Sequence, residues 1–220
     1  MTLTTINLAA LGDTINLSTE VTGTLPTGNG GTGSTATTFV NAASNVTGAL
    51  PVANGGTALT SGFVNGGGVT EADQWRITTS WNGTSNPITA NWERNDTGFD
   101  KIGTGMTQSS GNFAFPSTGL YHIQFNILAS KSSGDTQYNA QKIFLTTDNS
   151  SYNERATGYS FINEAGGETY TSSHCQLMFD VTNTTNCKVR FGVVNQSATD
   201  FYGDTTRNTT TATFFRLGST

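Results

Sequence analysis

The 220-residue sequence predicts an all-β protein, a sandwich or jelly roll preceded by a Gly/Thr-rich repeat segment. Three observations carry that prediction. Thr fills about forty positions, and Thr suits the pleated, half-buried surface of a sheet. Asn and Gly are abundant and favour the turns between strands. Helix formers are sparse, and no long stretch places apolar residues at the helical period of about 3.6.

Charge narrows the function classes. Charged residues make up only 11% of the chain, which argues against ordinary disorder. The net charge is −5 and the sequence pI near 4.8, with no basic stripe, so nucleic acid is not an expected partner. No apolar run is long enough to span a membrane, and no signal-peptide pattern opens the chain. Synthesis and folding in a cytoplasm, without membrane insertion, is the expectation. Cys175 and Cys187 suit a reducing compartment that keeps thiols free. A symmetric hairpin turning near Asn183 would not set them opposite one another, but the geometry a disulfide needs stays open at this point.

The composition shifts near residue 70, dividing the chain into an extension (1–70) and a head (71–220). The extension contains no Lys, Arg, His, Trp or Tyr; its charges are Asp13 and Glu20, and its aromatics are Phe39 and Phe63. Burial stabilises by roughly 25 cal/mol per Å², against an ordering cost of about 1–2 kcal/mol per residue. So few large apolar groups cannot enclose a core, and the segment is expected to need partner chains. It also repeats. The run from Val21 to Gly33 returns from Val46 to Ala58, offset by 25 residues and identical at nine of thirteen positions. Phe39-Val40-Asn41 is echoed by Phe63-Val64-Asn65. Each unit offers a Val and a Leu, then Pro26 or Pro51, then an Asn-Gly-Gly turn. Stacked units in a shaft of three winding chains is one reading; a flexible Gly/Thr linker is the other.

The phrase from Thr22 to Gly33, TGTLPTGNGGTG, and its echo from Thr47 to Ala58, TGALPVANGGTA, resemble an element common in tailed-phage fibre proteins. The second copy departs by ending in Ala58 instead of Gly. The resemblance implies a shaft or attachment region upstream of a globular tip.

From Trp75 onward the sequence reads as short strands. Those expected are Trp75–Trp81, Ile88–Trp92, Gly119–Ala129, Gln141–Thr147, Tyr170–Val181, Lys188–Val194 and Thr211–Leu217. The clearest alternation sets Tyr121, Ile123, Phe125 and Ile127 on one face and His122, Gln124 and Asn126 on the other. Strands at this spacing, joined by Asn, Gly, Ser and Asp clusters, predict a sandwich or jelly roll. Gly111, Phe113, Pro116, Gly119 and Tyr121 fall in register with the signature of the complement C1q/tumour-necrosis-factor jelly roll. Ile123 replaces the usual aromatic. The run from Asn95 to Asp100 and the closing run from Thr213 to Gly218 are similar to further parts of that pattern. This resemblance implies a ten-stranded jelly roll assembled as a homotrimer. A collagen stalk is not expected, because the glycines follow no strict triplet, and no sustained heptad supports a coiled coil.

Candidate chemistry is thin. Gly28 to Gly33 matches G-x-G-x-x-G but lacks a βαβ context, and its repeat copy loses the last glycine. His122 falls on the polar side of its strand. His174 neighbours Cys175, and adjacent strand residues face opposite ways, so the two should not share a metal. Asp96 with Asp100, and Asp200 with Asp204, fall in expected loops that could hold calcium but better suit turn formation. Trp75, Trp81 and Trp92 could present a sugar- or protein-binding surface or pack at the junction of shaft and head. No catalytic, cofactor-binding or metal residue is assigned, and no cofactor is expected.

Together these readings lead to an expectation: a non-enzymatic, trimeric phage virion fibre or spike, assembled in the host cytoplasm. Its N-terminal segment would join other virion proteins, and its head would touch host-surface glycan or protein. A head fibre or capsid decoration protein is the alternative, and a glycan-degrading enzyme a third.

Overall fold

Residues 69–220 are described by a computed structural model. The repeats beginning at Val21 and Val46 lie outside the described residues, as does the expected shaft. Among the described residues there is no helix. In chain order the strands are β1 (Ala72–Ile77), β2 (Trp81–Asn82), β3 (Trp92–Arg94), β4 (Lys101–Ile102), β5 (Thr107–Ser109), β6 (Asn112–Ala114) and β7 (Gly119–Lys131), then β8 (Thr136–Thr146), β9 (Asn153–Ile162), β10 (Thr169–Val181), β11 (Lys188–Asn195), β12 (Asp200–Phe201) and β13 (Thr211–Gly218).

The alternation in β7 organises the fold. Tyr121, Ile123, Phe125 and Ile127 are buried, while His122, Gln124 and Asn126 face outward. Strands β10 and β13 flank β7 on either side, both antiparallel to it, and β1 follows β13. This sheet carries β2, β12, β3 and β4 as short additions; the second sheet runs β5-β6-β11-β8-β9. The pairing is nested: β1 with β13, β6 with β11, β7 with β10, β8 with β9. A hairpin of eight main strands, paired first with last and so on inward, then rolled into two sheets, is a jelly roll. The all-β jelly-roll sandwich expected from the sequence is therefore what the chain forms.

Between the sheets lies an aromatic core. Phe113, Phe125, Phe191, Phe201 and Phe214 are all enclosed. Phe113 sits at its centre, with ring centroids of Trp75, Trp92, Phe191 and Phe214 within 5.0–5.5 Å. The motif residues now have physical roles. Gly111 turns β5 into β6 at a φ of 77°, where a Cβ would stand 2.2 Å from the Ile88 carbonyl oxygen. Gly119 opens β7 at a φ of 134°, and a Cβ there would meet the Gly218 oxygen at 2.4 Å. Tyr121 is buried, and its hydroxyl donates to the Ser117 carbonyl at 3.1 Å.

Several expected boundaries are corrected. β1 stops at Ile77, and Trp81 belongs to separate β2; between them the backbone of Gly203 packs closely on Thr79. Ile88–Trp92 is not a strand, because Asn91 takes a φ of 63° and turns the chain before β3 starts at Trp92. β9 was not expected at all. Nor do β10 and β11 form a hairpin about Asn183: they lie in different sheets, and Cys175 and Cys187 are both buried and unbonded. Burial pushes the Cys175 thiol up to about 12.

Candidate functional site

The outward face of the first sheet is built in rows across β10, β7, β13 and β1. One row is Met178, His122, Phe215 and Ala72; the next is Gln176, Gln124, Thr213 and Gln74; the third is His174, Asn126, Thr211 and Arg76. The polar members bond to one another: His122 Nε2 lies 3.1 Å from Gln176 Oε1, and Gln74 donates to Thr213 Oγ1 at 3.0 Å. No Asp, Glu, Lys or Arg stands among the solvent-facing members of these rows. Arg76 ends the third row fully buried, held by Glu93 at 3.0 Å, Asn95 at 2.8 Å and Asp96. Met178 is 58% exposed, Leu217 54% and Phe215 37%, which leaves a partly apolar face with exposed Asp180 at its end, in the row of Leu120 and Gly218.

A second apolar patch stands at the sandwich edge. β9 ends the second sheet and β10 pairs only with β7. The two edges meet at Gly158, where a Cβ would lie 2.3 Å from the His174 carbonyl oxygen. On β9, Tyr159 and Phe161 are 67% and 62% exposed, and Tyr159 meets Tyr138 edge-on at 6.4 Å. Contiguous exposed apolar patches mark protein or membrane contact sites or ligand grooves.

No protein-family model matches the sequence, and no curated protein does. Among solved structures, crystal structures of murine APRIL at pH 5.0 and pH 8.0 overlay on it. Their TM-scores are 0.47 and 0.45 and their identities 9% and 10%; each covers 67% of this chain and 98% of the APRIL chain. The jelly-roll assignment rests on the strand pairing itself.

The residues singled out from the sequence are scattered over this fold. His122 and His174 both face outward from the first sheet, and Cys175 points the other way into the core, as the strand period requires. Among the described residues no three of His, Cys, Asp and Glu group to hold a metal ion. Asp96 pairs with Arg76, while Asp204 accepts from the Thr206 and Arg207 amides and from the Arg207 side chain. Asp200 lies on β12 instead of in a loop and accepts from Asn82 at 2.7 Å. The three tryptophans pack inward: Trp75 and Trp92 against Phe113, and Trp81 stacked on Phe201. Each indole N–H is satisfied locally, by Asp73, Ile88 and Gly83.

Sequence reasoning missed one further cluster, on the outer face of the second sheet. Arg190 of β11 lays its guanidinium over the Tyr152 ring, 3.6 Å from the centroid. Its Nε donates to Asn112 Oδ1, which also accepts from the Tyr152 hydroxyl at 2.8 Å. Phe144 stands directly across from Arg190 in the β8–β11 register. Nothing in the local sequence groups these residues, since Asn112 and Arg190 are 78 positions apart.

Proposed function

We propose that the chain is a non-enzymatic structural subunit of a phage virion appendage, a homotrimer whose jelly-roll head is carried on the repeat segment and contacts the host surface. The observation that carries the reading is the pair of dissimilar apolar patches on one head, the Met178–Phe215–Leu217 face and the Tyr159–Phe161 edge. Unlike patches on one chain favour head-to-tail contacts, and such contacts close into a ring when the rotation allows. Three copies then cover both patches on every protomer. The Leu-Pro-x-x-Asn-Gly-Gly-Thr repeats at Leu25 and Leu50 support a virion role, being similar to fibre attachment elements. Three identical tips would turn weak surface contacts into firm attachment. A second reading is a head fibre or capsid decoration protein.

Electron microscopy of intact virions labelled with an antibody to the head tests both. Label at the end of a tail appendage is expected for host attachment, and label over the capsid for the second reading. Intact particles that take no label contradict both.

A further inference from the structure

Arg190 is a cation without a described counter-ion. Arg76 and Arg94 each meet a carboxylate, as do Lys142 and Arg207. Arg190 meets none within 4 Å among the described residues, as is also true of Lys101, Lys131, Arg155, Lys188 and Arg216, but it alone of these is stacked on a ring, with its Nε donating to Asn112 and its guanidinium against Tyr152. The Tyr152 ring beneath it and the Asn112 bond hold the guanidinium plane in place, so its outer edge is presented ready-made. A guanidinium fixed in this way matches the two oxygens of a carboxylate better than it matches a point charge.

The surroundings specify more. Arg190, Tyr152, Phe144, Pro87 and Asn86 line a surface groove of about 200 Å³. Gly192 packs against two of the lining residues: a Cβ there would stand 2.1 Å from Asn86 Oδ1 and 3.2 Å from the Phe144 ring. Only a residue without a side chain lets the 86–87 loop and Phe144 draw so close. Phe144, Tyr152 and Pro87 give apolar ring faces, which suit the C–H faces of a pyranose, and Asn86 offers an exposed amide for hydroxyls. The volume is below the roughly 300–1,000 Å³ of pockets that enclose a drug-sized ligand, so it suits one sugar residue of a longer chain.

We infer that this groove binds a carboxylate-bearing sugar residue of an acidic glycan, with Arg190 on the carboxylate and Phe144, Tyr152 and Pro87 against the ring. This deepens the host-contact reading above by naming the chemistry of the surface. The groove shares the second sheet with the Tyr159–Phe161 patch, and all its lining residues come from one chain. Glycan binding and virion labelling therefore succeed or fail separately.

Isothermal titration of the full-length protein tests the inference with four probes: tri-galacturonate, its methyl ester, sialyllactose and inorganic phosphate. At least one of the two acidic saccharides is expected to bind, and the methyl ester and phosphate at least tenfold more weakly. R190M keeps the apolar stem and removes the charge, and is expected to lose at least tenfold in affinity. N86A changes an exposed side chain outside the strands and is expected to weaken binding several-fold with folding intact. Failure of both acidic saccharides to bind, equal binding of the ester or of phosphate, or undiminished binding by both variants would overturn the assignment.

Discussion

Phe113 is fully buried and joins both sheets through four aromatic contacts, a number that only Phe191 matches among the described residues. Removing it would leave a cavity that the stiff neighbouring rings cannot fill. Phe113→Ala is expected to cost about 3–5 kcal/mol, read as a lower urea midpoint at unchanged slope; a loss below about 1 kcal/mol would contradict the central packing role. The sequence marked Phe113 only as part of a motif. Its importance comes from Trp75, Trp92, Phe191 and Phe214 arriving from distant strands, which no local pattern records. The same holds for Arg190, whose partners are Asn112 on β6 and Tyr152 in the β8–β9 connection. By contrast, the opposite facing of His174 and Cys175 was legible, because it follows from the strand period alone.

At the level of elements, strands with one clean apolar face were easy to read. β7, β10, β11 and β13 fall within a few residues of expectation, since their buried faces alternate strictly or nearly so. β9 escaped because it is an edge strand whose residues Asn153 to Ser160 bury little, so no apolar face signals it. Ile88–Trp92 misled for the opposite reason: its apolar residues pack inward from a turn. The turns hold the carboxylates most sensitive to acid. Asp148 accepts from the Thr146 hydroxyl and from the Ser151 and Ser150 amides, which holds it well below the usual carboxylate range. The Thr206 amide and the Arg207 side chain do the same for Asp204, and Lys142 lowers Glu154. Each folded-state value lies below its ordinary value of 3.8 or 4.5, so the stabilisation is complete above that range and is lost as pH falls through it. The thermal midpoint is expected to be level between about pH 5 and 8 and to drop below about pH 4. A midpoint unchanged down to pH 2 would show that these carboxylate bonds, two in turns and one across the β8–β9 pair, do not hold the native state.

For the molecule as a whole, the nested strand pairing was anticipated by the C1q/tumour-necrosis-factor resemblance, but the surfaces that would use it were not. Outward-facing Met178, Phe215, Tyr159 and Phe161 look unremarkable in the sequence, because a strand period does not say whether its outer face meets water or another chain. Their exposure in the folded head is the physical reason for proposing a trimer. A charge placed in that face should be tolerated by one head and not by three. The mass of the full-length protein in solution, measured by light scattering at micromolar concentration, is the most direct test. It should be three times the 23.1 kDa of one chain, and M178D should lower it toward a single chain with the β-sheet signal retained. A well-folded wild-type protein that stays at the mass of one chain would contradict the account.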